Sequence, residues 1–285
     1  MSPMNPPDKT GAFEPNLGAY FERIGDRGPR DATLATLNRI VEAHVRTIPF
    51  ENVDVLMGVR ISVDPAAVEQ KLILGGRGGY CFEQNTYLRE VLVALGFQVQ
   101  AMSARVRFQK PTDVVPSRTH IFLRVELDGV SWLVDVGVGS LSLTSAIRLE
   151  LDAPQKTPHD TRRIVASGAW TGLEQRAPDA VLFHQVRLGH TWETVADFTL
   201  EEMHPIDIEL GNWYTSMHPG SHFRTRLNAA RSNHDGRLSL QGRAFKSRRR
   251  DGTATTTELS SSHEVLDCLR EQFGLQLPEG ALSAL

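Results

Sequence analysis

The amino-acid sequence predicts an α+β fold, in which helices come first, antiparallel strands follow and mixed elements end the chain. Apolar residues in the first part recur at the spacing of amphipathic helices. In the middle part, apolar and polar residues alternate with the period of two that is typical of strands. The 285 residues contain no internal repeat, and at this length we expect two or three packed subdomains.

Helical patterns dominate the chain before residue 97. Residues 34–44 repeat apolar side chains at helical spacing, and Pro49 should end this helix because a proline disfavours helical geometry in the residue before it. A second helix is predicted over residues 65–74, where a run of glycines follows. A third helix should start at Cys81, with an apolar stripe on one face and Gly96 as its C-terminal cap.

Strand patterns begin at residue 97. Residues 97–108, 120–127 and 131–138 alternate apolar with polar side chains and are rich in β-branched residues, so they are predicted to be strands. Short strand-like runs separated by turns continue from residue 148 to residue 198. This region should therefore form an antiparallel sheet.

The last part of the chain mixes the two patterns. Residues 198–210 have a more helical character, with acidic residues near their start. Strands are predicted at 238–240 and 253–259, and a final helix at 263–273. The chain should end in a unit that contains both helices and strands.

Composition and charge exclude several classes of protein. Lys and Arg number 31 against 34 Asp and Glu, with a pI near 6.4, whereas a dedicated nucleic-acid-binding protein would carry a strong basic excess. No apolar stretch approaches the roughly 18–20 residues that span a bilayer. Residues 1–9 lack the basic-then-apolar pattern of a signal peptide. We expect a cytoplasmic enzyme that binds neither nucleic acid nor a membrane.

The two cysteines, Cys81 and Cys268, are too few for a disulfide framework or a cysteine-rich zinc site. Cys268 falls in an apolar helical pattern, which predicts a packing role. Cys81 follows the glycine run and starts a helix, where backbone N–H groups and the helix dipole stabilise a thiolate. The same N–H groups could bind an oxyanion formed when the thiolate attacks a carbonyl. A catalytic nucleophile and a small buried residue both fit Cys81 at this point.

A thiolate nucleophile needs a base, and the hairpin around Asp128-Gly129 supplies a candidate. Asp-Gly between two alternating runs is a strong signal for a two-residue turn, which pairs Leu123 with Val134. One face of the hairpin is then apolar, and the other carries His120 and Asp135 as diagonal neighbours roughly 7–8 Å apart at Cα. A carboxylate–imidazole hydrogen bond is within reach; a solvated face with an unrelated His and Asp is the alternative.

Together, these motifs resemble those of the arylamine N-acetyltransferase family. The resemblance implies a helical bundle over residues 1–96 that carries the nucleophile and an antiparallel, β-barrel-like domain over 97–205 that carries the His and the Asp. An α/β lid over 206–285 would complete the fold, around a Cys-His-Asp core similar to that of cysteine proteases. The matching segments occur in the family's order and are residues 20–25, 48–52, 77–83, 119–120 and 132–137.

The resemblance also implies a ping-pong reaction. Cys81 would take the acetyl group from acetyl-CoA, which is a co-substrate and not a permanently bound cofactor, and pass it to the nitrogen of an arylamine, arylhydrazine or related acceptor. His120 would act as the base and Asp135 would orient it. These partners are small molecules.

Binding residues are also implied by the resemblance. Phe50 and Val138 match positions beside the acceptor, although Phe50 also fits a plain core role. Many members of the family have an aromatic residue where this chain has Val138, which predicts a wider acceptor pocket. The residues predicted to contact CoA are Thr119, Gly139, Ser140 and Ser221.

A histidine pair and a basic segment also bear on the ligands that this chain could bind. No metal site is expected, since Pro219 and Gly220 prevent the helix that would align His218 and His222. Residues 246–252 form a basic tip on a predicted hairpin, which fits a solvated turn or an aid to binding CoA phosphates.

Other functions fit parts of this sequence. One is an amide synthase or other acyltransferase that prefers a tethered polyketide chain to acetyl-CoA. Another is a Cys-His-Asp hydrolase or a transglutaminase-like enzyme, whose acyl donor would be an amide. A third is a binding protein that has kept the scaffold without an activated thiolate. The sequence is also compatible with a homo-oligomer.

Overall fold

The computed structural model describes residues 13–111, 113–167, 181–278 and 280–284. Its first part is helical, as predicted. Asn16, Thr33 and Asp64 accept hydrogen bonds from the first turns of the helices that follow them, which satisfies amides that have no partner within the helix. The helices are α1 (Leu17–Ile24), α2 (Leu34–Thr47), α3 (Val53–Leu56), α4 (Pro65–Glu69), which continues into a π-helical turn (Gln70–Leu74), and α5 (Cys81–Ala94).

The middle part forms an eight-stranded antiparallel sheet. Its strands are β2 (Gln98–Val106), β3 (His120–Leu127), β4 (Val130–Val134), β5 (Ile147–Arg148), β6 (Gln155–Lys156), β7 (Thr161–Ala166), β8 (Leu182–Leu188) and β9 (Thr191–Glu202). They lie in the order β5-β4-β3-β2-β9-β8-β7-β6. The Gln155 side chain on edge strand β6 bonds the backbone N–H and C=O of Arg148 on the other edge strand, so the sheet is nearly closed and barrel-like.

The hairpin of β3 and β4 has the predicted register. Leu123 pairs with Val134, and Asp128 and Gly129 both have positive φ, as a two-residue hairpin turn requires. The apolar face of the hairpin joins the helical core. The opposite face is also buried, because Phe122 and Leu133 belong to a second cluster inside the barrel-like sheet. The alternative of a solvated face for His120 and Asp135 is therefore wrong.

The last part contains α6 (Pro205–Met217), a short 3₁₀ helix (His222–Arg224) and a five-stranded sheet. The remaining elements are β1 (Phe50–Glu51), β10 (Asn228–Ser232), β11 (Gly236–Gln241), β12 (Ala244–Arg249), β13 (Ala254–Glu258), α7 (Ser262–Glu271) and α8 (Ala281–Ala284). The strands lie in the order β1-β10-β11-β12-β13, and β1, which belongs to the helical part of the sequence, pairs Phe50 with Ala230 at the edge of this sheet. Cys268 is buried in the cluster beneath the sheet, as predicted.

One predicted element is wrong. The helical character expected over 198–210 does not start at residue 198, because β9 continues to Glu202 by pairing with Met102 of β2. The helix begins only at Pro205, whose fixed φ suits the first helical position. The boundaries at residues 96 and 205 stay predictions. Within the described ranges, no helix is both long enough and apolar enough to cross a membrane.

Candidate active site

A glycine turn places Cys81 at the first position of α5. Gly79 accepts hydrogen bonds from the Glu51 amide and from the Gln84 side chain, which anchors the turn against β1. The Glu83 carboxylate caps the helix by accepting from the Tyr80 N–H at 3.0 Å. Cys81 is 4% exposed, and its thiol donates to the carbonyl of Thr119 at 3.6 Å.

A buried ion network holds this turn from below. Lys71 lies 2.6 Å from Glu83 and 2.8 Å from Asp54, and Arg77 bonds both Glu51 and Asp54 at 2.8 Å. Burial raises the pKa of Glu83 to about 7, although the nearby Lys71 ammonium opposes the shift. The π-helical turn directs Lys71 to this network, which ties the residues before Cys81 to the helix that follows it.

His120 and Asp135 meet at the end of the β3–β4 hairpin. The His120 Nε2 and the Asp135 Oδ2 are 3.0 Å apart, and the two residues are 1% and 0% exposed. Burial disfavours the imidazolium, but the Asp135 carboxylate, with a contribution from Cys81, raises the pKa of His120 to about 10. Burial likewise opposes the charge of Asp135, yet His120, Asn85 and the Gly137 amide together lower its pKa. The pair favours a charged imidazole.

Asn85 joins the helix to the hairpin. Its Nδ2 donates to Asp135 Oδ1 at 2.9 Å and to the Ile121 carbonyl at 2.8 Å, while its Oδ1 accepts from the Val136 N–H at 3.0 Å. Sequence reasoning missed this residue. A signal was present, because Asn85 lies four residues after Cys81 and so shares its helix face.

Gly137 allows the hairpin to reach the nucleophile. A Cβ at this position would lie 2.6 Å from the Cys81 Cα, so only a glycine fits without a shift of the backbone. Cys81 lies beside His120, since its thiol bonds the carbonyl of Thr119, the residue that precedes the histidine. Since Asp135 occupies Nε2, Nδ1 is the ring nitrogen left for the thiol. The structure thus brings Cys81, His120 and Asp135 together from three segments of the chain.

Aromatic rings lie near Cys81. The half-buried Phe50 ring lies 6.1 Å from that of Phe223, which in turn lies 5.9 Å from Tyr80. Gly139 lies against the Phe50 ring, with a positive φ of 89°. Sequence reasoning placed Phe223 only within a lid segment. Its proximity to Phe50 depends on the pairing of β1 with β10, which no local pattern indicates.

The other predicted binding residues occupy different surroundings. Thr119 offers its carbonyl to the Cys81 thiol. Val138 packs against a small buried cluster that contains Leu141, Val186 and Val195. The Ser140 carbonyl accepts a hydrogen bond from Arg237. The hydroxyl of Ser221 forms local hydrogen bonds: it donates to the Thr215 carbonyl at 2.6 Å and caps the 3₁₀ helix.

The arrangement has the parts that nucleophilic acyl transfer requires. A thiol at a helix N-terminus faces an imidazole that a buried carboxylate orients, and the N–H groups of the helix are available to an oxyanion. Such a group can accept an acyl chain from a thioester or an amide. The aromatic rings add a surface suited to a planar acceptor.

Comparisons with known proteins narrow these possibilities. A family model described as N-acetyltransferase matches residues 33–282. The arylamine N-acetyltransferase of Mycobacterium tuberculosis is 41% identical over 268 residues, which cover 93% of this chain and 90% of the relative.

Solved structures give the same result. The structure of the M. tuberculosis arylamine N-acetyltransferase superposes with a TM-score of 0.86 at 38% identity, covering 94% of this chain and 98% of the other. The structure of the Mycobacterium marinum enzyme in complex with CoA superposes with a TM-score of 0.86 at 34% identity, covering 94% and 97% of the two chains.

Proposed function

Because this chain belongs to the arylamine N-acetyltransferase family, we propose that Cys81, His120 and Asp135 carry out its acetyl transfer. The enzyme transfers the acetyl group of acetyl-CoA to an arylamine. The observation that best supports the assignment of these residues is the buried His120–Asp135 pair beside a cysteine at a helix N-terminus. The similarity to arylamine N-acetyltransferases favours acetyl transfer over the amide synthase, hydrolase and binding-protein alternatives.

In the first half-reaction, the Cys81 sulfur attacks the thioester carbon of acetyl-CoA. Burial disfavours the imidazolium, but Asp135 raises the pKa of His120, so the ring takes the proton of the Cys81 thiol as the sulfur attacks. The first N–H groups of α5 stabilise the oxyanion of the tetrahedral intermediate. Its collapse breaks the bond to the CoA sulfur, which leaves with the proton of His120 and yields acetyl-Cys81.

In the second half-reaction, the amine nitrogen attacks the carbonyl of acetyl-Cys81. His120, now neutral, accepts the proton that the nitrogen loses, while Asp135 stabilises the resulting imidazolium. The intermediate collapses to the N-acetyl product and releases the Cys81 thiolate. Both the bond broken in the first step and the bond formed are thioesters, so acetyl exchange between the two sulfurs is nearly thermoneutral.

We propose Phe50 and Phe223 as the wall of the acceptor pocket. Their rings, 6.1 Å apart and tilted by 59°, offer edges and faces to an aromatic amine or hydrazine. Val138 stays a predicted acceptor residue, although its contacts with the Leu141 cluster suit an indirect effect through the turn. Thr119, Gly139, Ser140 and Ser221 stay predicted CoA contacts. A cytoplasmic location, a homo-oligomer and the absence of a resident metal also stay predictions.

Mass spectrometry of the intact enzyme tests the intermediate. Incubation with acetyl-CoA without an acceptor should add about 42 Da, the mass of an acetyl group that replaces a proton, and peptide mapping should place it on Cys81. Cys268 is the internal control, since burial and Glu271 raise its pKa to about 11. A Cys81→Ser variant should remain unmodified. Turnover without any adduct on Cys81 would contradict the proposal.

A further inference from the structure

A cavity of about 280 Å³ lies apart from the catalytic residues. It opens where the turn between β8 and β9, the start of β11 and the tip of the β12–β13 hairpin meet. Neither Cys81, His120 nor Asp135 lines it. Its most numerous charged side chains are arginines: Arg187, Arg237, Arg248, Arg249 and Arg250.

The positive charge in this cavity is not balanced by the protein. Asp160 and Asp251 are the acidic residues that line it. Asp160 is already held by Arg162, which is fully buried, and by Arg237 at 2.8 Å. Asp251 bonds the backbone and hydroxyl of Thr253. In the described part of the chain, Arg187, Arg248, Arg249 and Arg250 form no ion pair. Five arginines against two aspartates leave the lining of the cavity with three surplus positive charges.

Strand pairing brings two of the guanidinium groups together. Arg237 on β11 is the direct cross-strand partner of Arg248 on β12, so their side chains share one face of the sheet. Like charges in directly opposed positions destabilise a sheet. Burial, together with Arg162 and Arg248, lowers the pKa of Arg237 to about 10, although Asp160 opposes the shift. A bound anion would remove this repulsion.

The backbone of the hairpin is shaped to keep the arginines close. A Cβ on Gly236 would collide with the backbone of Arg248 and Arg249, so the absence of a side chain lets the two strands approach. The Arg250 amide bonds the Asp235 carbonyl and fixes the tip of the hairpin. Arg237 and Arg248 are thus carried by paired strands, and Arg250 follows in a turn that a backbone hydrogen bond holds, which gives the preorganisation that an anion site requires.

We propose that this cavity binds a phosphorylated ligand, whose phosphate oxygens bridge Arg248 and Arg250 beside the buried Arg237. Guanidinium groups bind phosphate with paired, charge-assisted hydrogen bonds, and several of them on one cavity select a multiply charged anion. The ligand chemistry is that of a diphosphate or a nucleotide phosphate. Arg237 also donates to the Ser142 carbonyl at 2.8 Å, which links the cavity to the turn that follows Gly139.

Titration calorimetry of the full-length chain with inorganic pyrophosphate tests the site. We expect saturable binding that weakens on the order of tenfold or more in the double variant Arg248→Gln/Arg250→Gln, since each lost contact is a charge-assisted hydrogen bond. The matched control is Arg243→Gln/Lys246→Gln, which removes two positive charges outside the cavity, one from β12 and one from the residue just before it, and should change the affinity by less than about twofold. If the first double variant does not fold, the single variant Arg250→Gln, at an exposed position, is titrated with pyrophosphate instead.

Steady-state kinetics then distinguish the two sources of the phosphate. If the site holds the phosphates of acetyl-CoA, the Arg248→Gln/Arg250→Gln variant should raise the KM for acetyl-CoA about tenfold but leave turnover of p-nitrophenyl acetate, which has no phosphate, unchanged. If it holds a free phosphorylated ligand, the KM should be unchanged while the pyrophosphate affinity still falls. Absence of saturable pyrophosphate binding, or equal weakening in both double variants, would overturn the proposal. The calorimetric result requires no turnover, so it is independent of the assigned mechanism.

Discussion

Replacing Gly137 by alanine should disturb the active site through a single added methyl group. That methyl would lie 2.6 Å from the Cys81 Cα and 2.8 Å from the Asn85 Nδ2, whereas ordinary contact begins at 3.4 Å. Gly137 does not have a positive φ, so alanine can adopt its backbone conformation and the effect is steric. The hairpin and α5 must therefore separate by about 0.8 Å at the nucleophile.

Two magnitudes follow from this displacement. Forcing a methyl group into a packed interior costs about 1–3 kcal/mol of stability. A misplacement on the order of 1 Å between reacting groups lowers the rate about 10²-fold. Because the methyl also presses on Asn85, which holds Asp135, the orientation of His120 should suffer together with the position of the sulfur.

The assay compares kcat/KM for acetyl-CoA with a fixed arylamine acceptor, and thermal unfolding is followed by circular dichroism. Gly18→Ala in α1 is the matched control, because its methyl would make only an ordinary contact of 3.4 Å with Asn16 and should leave activity unchanged. An enzyme with Gly137→Ala that keeps wild-type kcat/KM and stability would refute the packing argument. A loss of stability without a loss of rate would refute the link to catalysis.

Four further results are expected. Asp135→Asn removes the carboxylate that raises the pKa of His120, so kcat should fall about 10⁴-fold and iodoacetamide should label Cys81 more slowly at pH 7; unchanged labelling would argue against the pair. Asn85→Ala should cost about 1–3 kcal/mol in urea unfolding, because it leaves buried polar groups without partners. Lys71→Met should cost about 3–5 kcal/mol, and adding Glu83→Gln should recover part of that loss. Burial lowers the pKa of His44, His159 and His184 below 6.5, so these histidines are neutral in the folded protein. Because the unfolded chain binds their protons first, their contribution to stability is complete above about pH 6.5 and falls as the pH drops toward 4, so the melting temperature should be lower at pH 5 than at pH 7.5.

The sequence predicts the hairpin well because two independent signals agree there. Asp128-Gly129 selects a two-residue turn, and the strict alternation of apolar residues sets the same register, which a slip of one residue would invert. The same signals place His120 and Asp135 on one face. Neither signal reveals that this face is buried, since that depends on the closure of the sheet around Phe122.

The segment 198–210 shows where local pattern fails. The Glu201-Glu202 pair favours a helix start, yet pairing of β9 with β2 overrides this preference and extends the strand to Glu202. The contact between Phe223 and Phe50 was not predicted for a related reason, because it joins residues that are far apart in the chain. Residues within one helix or hairpin were predictable, whereas residues joined by sheet assembly were not.

The position of the nucleophile relative to its base depends on one face of α5. Cys81 and Asn85 are separated by one helical turn, and Asn85 bonds both Asp135 and the strand that starts with His120. A rigid turn of helix thus fixes the sulfur with respect to both partners, whatever the surrounding loops do. Gly137 is the counterpart on the hairpin, since it removes the side chain that would hold the two elements apart. The geometry of the site therefore depends on Asn85, which binds the hairpin to α5, and on Gly137, whose missing side chain allows the two elements to approach closely.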